Sequence, residues 1–315
     1  YGEFNVANYL TNSNGFGAQF GYPISDISRL GFNITYDKTD IDIGTLPARE
    51  IYDFVSVEGN IFETLTAQLS WQQVTLNRGL FPTDGASTVI SFSSTIPGSD
   101  LNYYRFNIRQ RYYQPLSSDF VFGFQGEIGY LDSFGDTEEI PFFQNFYAGG
   151  PRSLRGFESN TLGPRSTDAP CYEFNYEEGT CPNLIDTDGD GEPDAPYLNP
   201  YANQGQRSRY RDAPIGGNMK VEGSLQLIFR LPFIEDQRSL RSAFFFDFGN
   251  VFSDNCKEYQ INCSELSFDE LRYSYGVGVT WITGFGPMSL AIAKPTNAGP
   301  LERTEEFQFT VGNVF

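Results

Sequence analysis

Apolar and polar residues alternate along most of this chain, in short segments separated by turn-forming residues. In the first clear segment Phe16, Ala18, Phe20 and Tyr22 alternate with Gly17, Gln19 and Gly21. Eleven such segments occur, at residues 16–22, 30–36, 65–71, 90–96, 104–112, 120–130, 221–231, 244–248, 273–281, 288–292 and 307–315. Because successive side chains of a β-strand point to opposite faces, each segment predicts a strand with one apolar face.

The polar faces of these predicted strands indicate which kind of sheet they form. In one segment Tyr104 and Phe106 alternate with Arg105 and Asn107. A soluble β-sandwich also alternates, but its inner faces would not set arginines and glutamates opposite so many aromatic residues. Strands of about ten residues that are apolar outside and polar inside are typical of outer-membrane barrels. We therefore predict an all-β, transmembrane antiparallel β-barrel, with its apolar face in lipid and its polar face toward the lumen.

The connections between segments alternate in length. One side has mostly short connections, at residues 23–26, 76–87, 115–118, 232–240 and 283–287. The other side has residues 37–62, 131–218, 253–271 and 294–305, with the short stretch 97–100 as the exception. Short turns on one side and long exterior loops on the other are the arrangement of outer-membrane barrels. We expect one barrel domain over residues 1–315, with its C-terminus on the short-turn side.

The number of predicted strands indicates whether they can close a barrel. Residues 1–6 read as the end of a further strand, which gives eleven strands and an opening fragment. Closed bacterial barrels normally have an even number of strands, and an unpaired strand edge in lipid is costly. The expectation is a barrel that lacks its N-terminal strands.

Composition excludes several classes of function. Aromatic residues make up 16% of the chain, and no run of apolar residues is long enough for a transmembrane helix. A formal charge of −19 disfavours nucleic acid as a partner. Histidine is absent, which removes the usual general base and the commonest metal ligand. We therefore predict no enzymatic activity and no cofactor.

The long interval 131–218 contains the stretch with the clearest functional pattern, Phe146 to Phe157, which reads FYAGGPRSLRGF. Arg155 stands there between apolar residues and a glycine, with a Gly-Gly-Pro turn before it. Long loops in compact proteins are usually functional or disordered. We predict a loop that folds back onto another part of the protein, the alternative being a chance arginine in a surface loop. Alternation along residues 244–248 places Asp247 on the inward face.

Four cysteines fall in two close pairs, Cys171 with Cys181 and Cys256 with Cys263. Pairs that close a loop are typical of disulfides formed in an oxidising compartment. A zinc site is the alternative, although the spacing matches no standard zinc finger.

An acidic stretch in the same interval has carboxylates at alternate positions, as in calcium-binding loops. These residues are Asp186, Asp188, Asp190 and Asp194. Tyr197 stands where an EF-hand has its bidentate Glu, so the choice lies between a weak calcium site and a solvated loop tip.

The motifs together resemble the Omp85 superfamily over essentially the whole chain. FYAGGPRSLRGF is similar to the RGF/Y loop motif of that family, and NRGLFPTDG at 77–85, TIPGSD at 95–100, FFFDFGN at 244–250 and the ending FQFTVGNVF also match. The likeness is greatest to the members that form the central insertase of the outer-membrane barrel assembly machinery. Those members have a sixteen-stranded barrel preceded by periplasmic POTRA domains, of which about 11 or 12 strands and no POTRA domain would be present here.

The resemblance also implies roles for individual residues. Arg155, Gly156 and Phe157 would lie in the lumen, with Arg155 paired to Asp247. Relatives offer a second acidic partner, and the aligned position here is Gln226, with Glu222 nearby. The last strand would form one side of a lateral seam and carry the C-terminal targeting signal. The residues concerned are Phe307, Phe309, Val311, Gly312 and Phe315.

The implied partners are unfolded outer-membrane barrel clients, the lipid bilayer, and accessory lipoproteins and periplasmic chaperones reached through the POTRA domains. Localisation would be the Gram-negative outer membrane. The alternatives are a related Omp85 translocator, either TamA-like or of the two-partner secretion type, and a passive porin.

Overall fold

The fold is an antiparallel sheet in which the strands are ordered as in the sequence. The computed structural model describes residues 9–43, 48–167, 173–175, 180–183, 213–231, 234, 239–258, 260, 263–284 and 286–312. Eleven strands within these ranges form one sheet, in the order β1-β2-β3-β4-β5-β6-β10-β11-β12-β13-β15. They are β1 Tyr9–Ser25, β2 Ser28–Ile43, β3 Ile61–Val74, β4 Gly85–Thr95, β5 Tyr103–Pro115, β6 Phe120–Ser133, β10 Met219–Phe229, β11 Leu240–Phe252, β12 Arg272–Thr283, β13 Gly286–Pro295 and β15 Phe307–Val311.

The short elements lie in the connections. Two pairs of short strands form separate ladders, β7 Gly156–Phe157 with β14 Thr304–Glu305, and β8 Glu173–Asn175 with β9 Thr180–Asn183. In the part of the chain that the structure describes, one α-helix, α1, spans Arg49–Glu58, and 3-10 turns occur at Phe142–Gln144 and Phe268–Glu270. Among the described residues, no helix has both the length and the apolar character needed to cross a bilayer.

The eleven alternating segments of the sequence coincide one to one with the strands of the large sheet, which confirms the predicted strands and their antiparallel order. Most of the strands are longer than the alternation alone indicates, and the first begins at Tyr9. The described part of β15 is shorter, ending at Val311. The opening fragment at residues 1–6 lies outside the described residues.

Side-chain exposure follows the alternation along β11. Phe244 is 54% exposed and Phe246 is 40% exposed, whereas Phe245 is 4% exposed and Asp247 is fully buried. Aromatic side chains therefore cover the outer face, while the inner face packs against other parts of the protein. A sheet with an apolar exterior of this kind is suited to contact with acyl chains.

The connection between β2 and β3 contains an element that the sequence analysis did not predict. Residues 37–62 were expected to form a long loop, but β2 continues to Ile43, β3 begins at Ile61, and α1 lies between them. Ile51 and Phe54 on α1 are buried. Their spacing of three residues, with Val55 next, is the helical period that could have indicated this helix.

An extensive cluster of buried apolar side chains joins α1 to the long connection between β6 and β10. It includes Ile41, Ile51, Phe54, Phe62, Phe142, Phe146, Leu154, Phe157, Leu162 and Val251. The long connection therefore packs onto the sheet and the helix, and this packing holds the candidate site in place.

Candidate functional site in the inward loop

The inward loop, residues 146–158, begins with a tight turn that requires glycine. Gly149 and Gly150 have φ values of 101° and 100°, in the region that disfavours side chains. A Cβ atom at Gly149 would lie 2.6 Å from the Glu158 carbonyl oxygen. The amide of Ser153 donates to the Gly150 carbonyl, and the amide of Gly150 donates to the Leu154 carbonyl, each at 3.0 Å. The turn directs the following residue, Arg155, toward the sheet.

Arg155 binds Asp247 on β11 through three hydrogen bonds. Its backbone amide donates to Oδ2 at 3.1 Å, Nε donates to Oδ2 at 2.7 Å, and Nη2 donates to Oδ1 at 2.7 Å. The guanidinium also lies over the Phe245 ring, with Cζ 3.5 Å from the ring centroid. Arg155 is 4% exposed. A planar, bidentate pair of this kind fixes orientation as well as position.

The second polar contact of Arg155 differs from the one that the family resemblance implies. Nη2 of Arg155 donates to the Ser224 hydroxyl at 2.9 Å, and the Gln226 amide donates to the same hydroxyl at 3.3 Å. Gln226 thus supports the serine that contacts the arginine. Ser224 lies directly opposite Asp247 in the β10–β11 register. Alternation assigned Ser224 to the inner face, but the sequence did not show that the loop reaches it.

Glu222 reaches the inward loop through a different residue. Its Oε2 accepts a 2.5 Å hydrogen bond from the Ser153 hydroxyl. The same hydroxyl accepts a 3.0 Å hydrogen bond from the Gly149 amide. Its Oε1 lies 3.1 Å from Lys220 Nζ, and Lys220 also lies 3.3 Å from Glu127 Oε2 on β6. The loop is therefore anchored to the sheet at two carboxylates, one on β10 and one on β11.

The loop also contacts the segment that leads into the last strand. Gly156 and Phe157 form the short antiparallel ladder with Glu305 and Thr304. Gly156 has a φ of 91°, and a Cβ atom there would lie 3.2 Å from Ala293 on β13. Phe157 is fully buried. This stretch therefore lies flat against the inner face of the sheet.

The last strand presents the predicted pattern over its described residues. Phe307, Phe309 and Val311 are exposed on the outer face. Gly312 has a φ of 85°, and its amide donates to the Pro287 carbonyl at 2.7 Å. The chain therefore bends at Gly312 directly after β15, a conformation that favours glycine. Phe315 lies outside the described residues.

One of the two predicted disulfides is present, between Cys256 and Cys263 in the connection from β11 to β12. The other pair is not settled, because Cys171 lies outside the described residues and only the backbone is described at Cys181, on β9. The acidic stretch containing Asp186, Asp188, Asp190 and Asp194 also lies outside them, so calcium binding stays a prediction.

The disulfide-bonded connection is tied to α1 and to the long loop. Gln260 Nε2 donates to Glu50 Oε1 at 3.3 Å, and Lys257 Nζ lies 2.5 Å from Glu139 Oε1. Glu50 also accepts the Thr167 amide at 3.1 Å. Burial raises the pKa of the Glu50 carboxyl, although these hydrogen bonds act in the opposite direction. Three connections at the same end of the sheet therefore form one polar network.

The sheet with its apolar exterior, and the loop bound to its polar interior, define a barrel protein of the outer-membrane type. The chain belongs to the Omp85 superfamily, whose domain matches residues 1–315. This membership confirms the resemblance found in the sequence.

Two curated relatives are similar to most of the chain. The outer membrane protein assembly factor BamA of Neisseria meningitidis serogroup B is 28% identical over 336 residues, which cover 98% of this chain and 37% of that protein. The sorting and assembly machinery component 50 homolog of Mus musculus is 23% identical, covering 88% of this chain and 50% of that protein. The chain therefore spans half or less of the length of these relatives.

Solved structures show the same fold. BamA from Haemophilus ducreyi lacking POTRA domains 1–3 is 26% identical and superimposes with a TM-score of 0.75, over 96% of this chain and 54% of that chain. CdiB from Escherichia coli, 8% identical, has a TM-score of 0.52 over 95% of this chain and 44% of that chain, which indicates a shared fold alone. The chain is an integral protein of the Gram-negative outer membrane.

Proposed function

We propose that this chain is the barrel portion of an outer-membrane β-barrel assembly factor, which folds and inserts other barrel proteins through a lateral seam that includes the last strand. The observation that carries the proposal is the Arg155–Asp247 pair, which fixes an RGF loop inside a sheet similar to the BamA barrel. The relatives named as assembly factors or assembly machinery cover most of the chain.

The edges of the sheet suggest how such a factor acts. β15 forms one of these edges, and within the described residues it pairs with a neighbour, β13, on one side only. A free strand edge presents unpaired backbone amides and carbonyls, to which an incoming strand can add. The proposed mechanism is therefore strand templating by backbone hydrogen bonds, with no enzymatic step.

The proposed partners follow from this mechanism. Unfolded barrel proteins are the clients, and lipid surrounds the exposed aromatic face. Accessory lipoproteins and periplasmic chaperones would be engaged by the full-length protein, through POTRA domains. Nucleic acid and cofactors have no place in this mechanism.

The inward loop would keep the seam strands in a defined arrangement, so breaking its anchor tests the proposal. Arg155→Ala leaves the Asp247 carboxylate buried without its partner, and loss of one member of a buried pair costs about 3 to 5 kcal/mol. Asp247→Ala leaves the guanidinium unpaired and should act similarly. Arg303→Ala is the matched control, because Arg303 lies near the loop but its ion pair with Glu158 is exposed and long, at 3.8 Å.

The assay is reconstitution of the full-length protein into liposomes, followed by folding of an unrelated barrel protein that is monitored by its heat-modifiable migration on gels. We expect client folding with the wild type and with Arg303→Ala, and a strong loss with Arg155→Ala and with Asp247→Ala. If the wild type does not accelerate client folding but exports a soluble passenger, the chain is a translocator. Steady ion-conducting pores without either activity would identify a porin.

A further inference from the structure

Gln308, the first inward-facing residue of β15, contacts the inward loop at two backbone groups. Its side-chain Oε1 accepts the Gly156 amide at 3.3 Å, and its Nε2 donates to the Phe157 carbonyl at 2.7 Å. Gln308 is 1% exposed. An amide side chain offers one acceptor and one donor group, and here both are directed at the same two-residue stretch of the loop.

The same stretch is bound to the residues just before β15. Thr304 and Glu305 pair with Phe157 and Gly156, and the Glu158 amide donates to the Arg303 carbonyl at 3.0 Å. The loop therefore forms a short ladder with the approach to the last strand. Gln308 extends that ladder into the strand itself.

The contact with the last strand lies beside the anchor on β11. Arg155 binds Asp247, and the next two residues, Gly156 and Phe157, bind Gln308. Three consecutive loop residues thus connect two strands that are separated in the sheet by β12 and β13. Because the bonds are buried, breaking either set would leave polar groups without partners, which is costly.

We propose that Gln308 is a positioning residue that ties the inward loop to the last strand, so that the end of β15 nearest the long connections moves only together with the loop. The loop then holds the seam strand directly, through the backbone of Gly156 and Phe157, in addition to filling the lumen. The importance of this coupling for client insertion rests on the proposed function, but the coupling itself does not.

The test is amide hydrogen exchange on the full-length protein in lipid nanodiscs, with Gln308→Met as the main variant. Methionine has a similar length and removes both hydrogen bonds to the loop, together with the 3.4 Å bond from Nε2 to Glu305 Oε2. Gln308→Asn is a second variant, which keeps the amide group but shortens its reach. Thr310→Val is the matched control, because Thr310 is two residues further along the same face and its hydroxyl has no hydrogen-bond partner among the described residues.

In both Gln308 variants we expect the backbone amides of residues 156–158 and 304–309 to exchange at least about tenfold faster than in the wild type. This corresponds to a decrease of about 1.4 kcal/mol in the free energy of local opening. The Arg155 amide should keep its protection in these variants, because it is bonded to Asp247. Thr310→Val should match the wild type. Coupling is reciprocal, so Asp247→Asn should also speed exchange in β15, and less so when Gln308→Met is already present.

Faster exchange in the loop with unchanged exchange in β15 would overturn the proposal, as would wild-type protection at residues 156–158 in both Gln308 variants. Client folding is measured on the same samples. If exchange changes as expected while the wild type folds no client, the coupling is correct and the proposed function fails. If the wild type folds clients but exchange is unaffected, the function stands and the coupling fails.

Discussion

Ser153 and Glu222 are joined by a 2.5 Å hydrogen bond from the serine hydroxyl to Oε2 of the carboxylate, 69 residues apart in the sequence. The family resemblance points to Gln226 as the second partner of Arg155, yet the carboxylate that reaches the loop is Glu222. Glu222 stabilises the turn from Gly149 to Ser153, whereas Asp247 binds Arg155. The two anchors therefore act on different residues of one loop.

The first prediction concerns this pair. Ser153→Ala and Glu222→Leu should each loosen the turn. The double variant should be little worse than Glu222→Leu alone, because Glu222→Leu already removes the contact with Ser153, together with the ion pair to Lys220. Coupling between contacting residues is about 0.5 to 3 kcal/mol. This coupling energy is measured by a double-mutant cycle, from the free energies of urea unfolding of the lipid-embedded barrel. Glu222→Gln is the control, since it keeps an acceptor for Ser153, and strictly additive single effects would contradict the prediction.

The second prediction concerns Gly156, where a positive φ and a close neighbour coincide. Gly156→Ala should destabilise the loop by about 1 to 3 kcal/mol from backbone strain, and more from the contact with Ala293. Gly59→Ala is the matched control, because Gly59 has a φ of 98° and a Cβ there meets nothing within 4 Å. Unfolding midpoints in urea compare the two, and equal losses would show that the close contact carries no cost.

The third prediction concerns the disulfide between Cys256 and Cys263. It closes a short loop that carries Lys257 and Gln260, which bind Glu139 and Glu50. Replacing both cysteines with serine should cost about 2 kcal/mol or less and act locally. Hydrogen exchange should rise at Glu138 and Glu139 while the sheet keeps its protection. Lys257→Met removes the ion pair with Glu139 while the disulfide stays intact, so it distinguishes the contribution of the ion pair from that of the covalent link.

The fourth prediction concerns pH. The pKa of Glu50 is raised by burial, so the folded state binds this proton more tightly than the unfolded chain does. The contribution of Glu50 to stability is therefore greatest at low pH and decreases as the pH rises from its ordinary value through the raised one. Glu50→Gln should flatten this part of the profile of unfolding midpoint against pH. A profile that is identical in the wild type and the variant would refute the assignment to Glu50.

The strands could be predicted from the sequence because contact with lipid on one side and polar packing on the other imposes a strict period of two. The same alternation placed Asp247 on the inner face. Helix α1 was missed because Ile51, Phe54 and Val55 carry its period over one short stretch, and the exposed Tyr52 and Val57 obscure the polar face. A helix this short is stabilised mainly by packing on its neighbours, which the sequence does not display.

Which residues of the sheet contact the inward loop could not be predicted from the sequence alone. Alternation shows that Ser224, Glu222 and Gln308 face inward, but which of them the loop meets depends on strand register and on the path of residues 146–158. The Arg155–Asp247 contact came from the family resemblance, and its functional role stays a prediction. Gln308 had only a weak signal, a polar residue between Phe307 and Phe309.

The last strand is matched with its neighbour in the sheet over few residues. β1 is matched with β2 at 16 positions, whereas β15 is matched with β13 at 5 within the described residues. Over the described residues few backbone bonds hold β15 to β13, and Gln308 ties the strand to the loop near Phe307. Thermal fraying should therefore start at the Val311 end of β15, and a foreign strand competing for β13 would meet the least resistance there.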